Sequence, residues 1–148
     1  MNIAGLLQEK SIFLGLKSGS KREFLQDLAQ RAAAICGVDA MVLYETVMER
    51  ENLGSTGFGG GTAIPHGRFV EVNQPMLFFA RPTYPVDFDA VDGKPVDVVF
   101  LLISPENAGA DHLTALALLS RCLKDKETCE KLRKMASPAE IYALLSEL

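Results

Sequence analysis

The chain has no tryptophan, only two histidines and three cysteines, and no uninterrupted apolar run of bilayer-spanning length. Each shortage removes a class of function. A membrane helix needs about 18 or more consecutive apolar residues, so membrane insertion is not expected. Cys36, Cys122 and Cys129 are odd in number and have no paired spacing, so they read as reduced thiols of a cytosolic protein rather than a disulfide framework. No histidine or cysteine pair has the short spacing of a metal site, and no metal is expected. Basic residues are also in deficit, with Lys+Arg 15 against Asp+Glu 19 and a net charge of −4, which argues against nucleic acid as a partner. The start, MNIAGLLQEKSIF, has no basic opening and reaches Gln8 and Glu9 before an export signal could form, so a cytoplasmic location is expected.

What is present is 148 residues, 48% of them hydrophobic. A chain of that size buries roughly 68–70% of its unfolded surface without covalent staples. No repeat or linker divides it, and residues 1–148 are expected to form one domain. Ser20-Lys21-Arg22-Glu23 is a capping box ahead of Phe24, Leu25, Leu28, Ala32 and Ile35, and Gly37 is a stop signal. Asp39 can cap a second helix that fails near Asn52 to Gly54, placing Arg50 and Glu51 at its end. Residues 55–62 then hold four glycines, too many for a helix at about 1 kcal/mol each, and predict a loop.

Met76–Ala80 and Val96–Ile103 are short apolar runs that read as strands, the second buried on both faces. Val86–Asp89 alternates and Asp92-Gly93 is a turn signal, so a hairpin is expected between them. Leucine-striped helices are predicted from about Asp111, over Glu127 to Met135, and after the capping box Ser137-Pro138-Ala139-Glu140. Helix, strands and helix again give an α/β class, a sandwich with a central mixed β-sheet flanked by helices.

Few residues can carry chemistry. His66 lies in Ile64-Pro65-His66-Gly67, where Pro65 stiffens the approach and Gly67 leaves space beside the ring. That describes a presented imidazole; the plain alternative is a strand-end histidine capping a carbonyl. His112 falls in the first turn of a helix, where the dipole favours the neutral ring, or is simply exposed. The glycines from Gly57 to Gly61 could cradle a phosphate with backbone N–H groups or make a tight connection. They form neither a Walker loop, lacking Gly-Lys-Ser/Thr, nor a dinucleotide fingerprint, because a helix precedes them. Arg50 and Arg68 bracket this region and could fork onto phosphate oxygens or remain solvated. Hydrolysis by a Ser-His-Asp triad has no G-x-S-x-G elbow to support it.

The run from Arg50 to Arg68, RENLGSTGFGGGTAIPHGR, resembles the active-site segment of the enzyme IIA domains of the bacterial phosphoenolpyruvate-dependent phosphotransferase system, mannitol/fructose type. Asp87–Asp97 resembles that family's hairpin, and His112-Leu113 with the following helix resembles its second histidine region. The likeness spans nearly the whole chain and is nearest the nitrogen-regulatory branch, departing from the commonest pattern at Gly60, where Asn is usual, and at Thr62, where an aliphatic is usual.

The resemblance implies phosphorylation of His66 by a histidine-containing phosphocarrier protein, with Arg50 and His112 beside it and no cofactor. Ser55, Thr56, Gly57, Gly59, Gly60 and Gly61 are the expected phosphate-binding loop. Downstream it implies regulatory target proteins, such as potassium-transport regulators or sensor kinases, or alternatively a IIB domain in fructose or mannitol uptake.

Overall fold

The computed structural model describes residues 1–148. Its elements are α1 (Ile3–Leu6), β1 (Leu7–Leu16), α2 (Lys21–Cys36), α3 (Ala40–Leu53), β2 (Gly57–Gly59) and β3 (Thr62–Ala63). They continue with β4 (His66–Phe69), β5 (Met76–Pro82), β6 (Val98–Pro105), α4 (Ala110–Lys124), α5 (Lys126–Lys134) and α6 (Pro138–Ser146). The sheet order is β1-β5-β6-β3-β2, with β4 also paired to β6. β5 and β6 are antiparallel, whereas β1 runs parallel to β5, and β3 and β4 run parallel to β6. The sheet is mixed, as the sequence predicts.

β6 is buried along its whole length. Alternation along the strand sends Val99, Leu101 and Ile103 into one core with Phe24, Leu28, Leu43 and Val47 of α2 and α3. The opposite side chains, Val98, Phe100 and Leu102, enter a second core with Leu119, Leu132 and Ile141 of α4, α5 and α6. Three layers result, helices covering both faces of the sheet.

The helix ends follow the sequence signals. Ser20 Oγ accepts from the Glu23 N–H at 3.0 Å, and Gly37 closes α2 at φ 79°. Asp39 accepts from the N–H groups of Met41 and Val42, and Ser137 from that of Glu140, with Pro138 opening α6. The three cysteines are unpaired.

Two expectations need correction, and one strand has no expectation to match it. Residues 55–62 are not loop throughout: β2 and β3 form a small antiparallel hairpin turned by Gly60 and Gly61 at φ 67° and 78°. Two successive positive φ values are what a tight hairpin turn demands, so the glycines build structure. Asn tolerates that region as well, so the departure at Gly60 is conformationally conservative.

The hairpin expected over 86–97 is reduced to one bridge, Val86 with Val96. Its intervening backbone bonds elsewhere: the Val91 N–H donates to the Gly57 carbonyl at 3.0 Å, and the Phe88 carbonyl accepts from Ser55 Oγ at 2.5 Å. The antiparallel ladder of this region lies instead between β5 and β6. Finally, β1 carried no sequence signal, because register shifts at its pairing with β5 scramble the alternation of buried and exposed residues.

Candidate functional site

β3 and β4 lie along β6 in one continuous register, Thr62 opposite Val98 and His66 opposite Leu102, interrupted only at Ile64-Pro65. Pro65 has no N–H for the ladder, but its carbonyl accepts from the Leu102 N–H at 3.1 Å. The break leaves the Ile64 carbonyl to the His66 ring, whose Nδ1 lies 2.9 Å away. A carbonyl only accepts, so Nδ1 carries the proton and Nε2 of the neutral ring holds a bare lone pair. His66 is therefore both the carbonyl-capping histidine and the presented one, since the first contact aims the second nitrogen.

His112 stands in the first turn of α4, carried there by the short connection from β6. Its ring centroid is 5.4 Å from that of His66, the planes tilted by 57°. It is buried, at 4% exposure, which removes the reading of an idle surface residue. Its Nδ1 lies 2.6 Å from Oγ of Ser104.

Arg50 and Arg68 reach the same place, from α3 and β4. With the two histidines they line a groove of about 400 Å³ whose other wall is the α3 stripe Thr46, Glu49, Leu53. Arg50 makes one hydrogen bond, Nη1 to the Gly54 carbonyl at 2.8 Å, which leaves the rest of its fork available. Gly67 lets α3 come this close: a Cβ there would meet the Phe69 ring at 3.0 Å and the Thr46 methyl at 3.2 Å. The space beside His66 that the sequence implied is thus used for packing.

Electrostatics keep both imidazoles neutral. Burial lowers the His66 pKa, with Arg50 and Arg68 acting in the same direction against the opposing Ile64 carbonyl and Glu51. Burial, then Arg68, then His66 lower His112 further, to about 4. Neutral nucleophilic nitrogen beside guanidinium groups suits attack on an anionic electrophile.

The glycine segment does not join this groove. The Gly60 N–H donates to Asp92 at 3.0 Å and the Gly57 N–H to Ser55 Oγ at 3.0 Å. The Gly61 carbonyl accepts from Asp97 and Val98, and the Gly60 carbonyl from Arg133. Thr56 gives both its N–H and its hydroxyl to Glu51. Ser55, Thr56, Gly57, Gly59, Gly60 and Gly61 lie in the hairpin and at the α3 terminus, beside the Val98 end of β6, four residues before the Leu102 that pairs with His66. Of them, Thr56 is tied to Glu51 in the last turn of α3, the turn that also carries Arg50.

Two supporting residues escape a motif reading. Glu51 is buried, bonded to Thr56 and paired with Lys21 Nζ at 2.9 Å. Its signal was available: Leu43, Val47 and Glu51 recur every four residues on the core face of α3, with a carboxylate where an apolar residue belongs. Ser104 is the one hydroxyl in the apolar row of β6.

Residues 5–148 match the family described as phosphoenolpyruvate-dependent sugar phosphotransferase system, EIIA 2. The chain is 43% identical over 146 residues to a nitrogen regulatory protein of Bradyrhizobium diazoefficiens, covering 99% of this chain and 95% of that one. It is 38% identical over 126 residues to a fructose-specific EIIA component of Haloferax volcanii, covering 85% of this chain and 80% of that one. Its fold matches the crystal structure of nitrogen regulatory protein IIA-Ntr from Neisseria meningitidis at a TM-score of 0.90 and 38% identity, over 97% of this chain and 98% of that chain.

Proposed function

The chain belongs to the EIIA type 2 family of the phosphotransferase system, and we propose that it carries a phosphoryl group on Nε2 of His66, received from a histidine-containing phosphocarrier protein. The observation that supports this most is the Nδ1 contact to the Ile64 carbonyl, which leaves Nε2 as the free nucleophile in the groove. In the transfer the Nε2 lone pair forms the new N–P bond while the donor's P–N bond breaks and returns its electron pair to the donor imidazole. Positive charge building on the His66 ring is stabilised by the Nδ1–H to Ile64 contact. Arg50 and Arg68 face the phosphoryl oxygens, and His112 is placed to donate to one of them. Such a transfer runs on positioning and charge stabilisation. The hydrogen bonds of Thr56 to Glu51 tie the following loop to the last turn of α3, from which Arg50 reaches the groove.

The nitrogen-regulatory relatives support a regulatory phosphocarrier whose phosphorylation state alters binding to target proteins such as potassium-transport regulators or sensor kinases. The fructose-specific relative keeps a second reading in play, delivery of phosphate to a IIB domain for sugar uptake. No helix is long and apolar enough to cross a membrane, in keeping with a cytoplasmic carrier. Incubation with labelled phosphoenolpyruvate, enzyme I and each phosphocarrier tests the proposal. Acid-labile, base-stable label on His66 is expected, and a folded His66→Ala protein that still labels fully sinks the site. Which carrier donates faster separates the two roles.

A further inference from the structure

Along β6 the side chains Val98, Phe100 and Leu102 enter the core beneath α4, α5 and α6. The next residue of that row is Ser104, fully buried. A hydroxyl in such a place is costly unless bonded, and its one hydrogen bond is to Nδ1 of His112 at 2.6 Å. The bond spans the β6–α4 connection, so it also sets the angle at which the ring meets the groove.

The direction of the bond follows from counting protons. If Nδ1–H donated to Ser104, the hydroxyl hydrogen would be left buried with no acceptor, whereas a hydroxyl that donates to Nδ1 leaves only oxygen lone pairs unused. A missing donor partner is the heavier cost. Nδ1 is then the acceptor, and the proton of the neutral ring resides on Nε2, the edge turned away from Ser104 toward the groove. The two histidines hold opposite tautomers, His66 with a bare Nε2 and His112 with a protonated one.

We propose that Ser104 is a positioning residue that donates its hydroxyl proton to Nδ1 of His112, so that His112 presents Nε2–H to the oxygens of a phosphoryl group on His66. The role rests on the phosphoryl reading of His66, but the tautomer can be read without any transfer. With the opposite tautomer, His112 would aim a lone pair at an anion and repel it.

Two-bond nitrogen–proton correlation spectra of histidine-labelled protein report each ring's tautomer. The native spectrum is expected to show His112 protonated on Nε2, and Ser104→Ala to move it toward a mixture or to Nδ1–H. Transfer to His66 from the phosphocarrier is expected to slow roughly tenfold in Ser104→Ala, the lower end of the ten- to hundredfold range known for partners that orient metal-bound histidines. Ser104→Thr, which keeps the hydroxyl, is expected to restore both readouts. A native His112 protonated on Nδ1, or an unchanged tautomer in Ser104→Ala, overturns the proposal. So does a folded Ser104→Thr protein that behaves like Ser104→Ala. Should Ser104→Thr not fold, the Ser104→Ala spectrum still decides. Failure of His66 to label refutes the phosphoryl role and leaves the tautomer result standing, which keeps the two failures apart.

Discussion

His66 and His112 are the same side chain given different work by one contact each. The Ile64 carbonyl can only accept, and so exposes the lone pair of His66; the buried Ser104 hydroxyl needs an acceptor, and so shapes His112 as a donor. Replacing His112 by Ala removes that donor but not the nucleophile. Label should still appear on His66, with transfer slowed by roughly 10²-fold, the scale of losing one positioned catalytic group. Quench-flow rates between carrier and protein check this, and wild-type rates would leave His112 without a part in the chemistry. Arg50→Lys keeps the charge but loses the planar fork, and the ammonium cannot hold Gly54 and span two oxygens at once. About tenfold slower transfer is expected, measured in the same way, and an unchanged rate would make Arg50 a helix-end residue only.

At the scale of elements, the site depends on where α3 ends. Glu51 brings together α3, the Thr56 backbone and Lys21 of α2, so the pair ties down the turn from which Arg50 reaches the groove. Glu51→Ala leaves the ammonium of Lys21 without its partner in a mostly buried site, and a loss of about 3 kcal/mol is expected in urea unfolding. Glu51→Gln, which can keep the Thr56 contacts, should lose less; equal losses would show that the charge pair contributes little.

The sequence is legible wherever a local device acts alone. Ser20, Gly37, Asp39 and Ser137 announce helix ends because capping involves neighbours two to four residues away. β6 announces itself because burial on both faces makes it uniformly apolar. β1 does not, since its bulged pairing with β5 breaks the alternation, and residues 87–95 mislead because their turn is real while their partners lie elsewhere. The site divides in the same way: Pro65-His66-Gly67 speaks locally, whereas Ser104 and Glu51 gain meaning only once β6, α3 and α4 are side by side.

At the scale of the whole molecule, two neutral histidines held beside two arginines make folding sensitive to pH. In the native state His112 takes up a proton only near pH 4, and burial lowers His66 as well, whereas unfolded histidines protonate near the ordinary value of 6.5. Between those limits the unfolded chain binds more protons, so stability rises with pH there and is lost as pH falls from about 6.5 toward 4. At about 1.4 kcal/mol per pH unit, His112 alone contributes roughly 3 kcal/mol to the difference between pH 7 and pH 4. His112→Gln can still bond Ser104 but has no proton to gain, and should flatten that part of the curve. Urea unfolding from pH 4.5 to 7.5 in both proteins measures the difference directly. A variant whose stability falls as steeply as the native protein's would place the acid sensitivity outside the groove. A flattened curve would show that the burial that keeps His112 neutral, and ready to donate rather than titrate, also sets the lower pH limit of the fold.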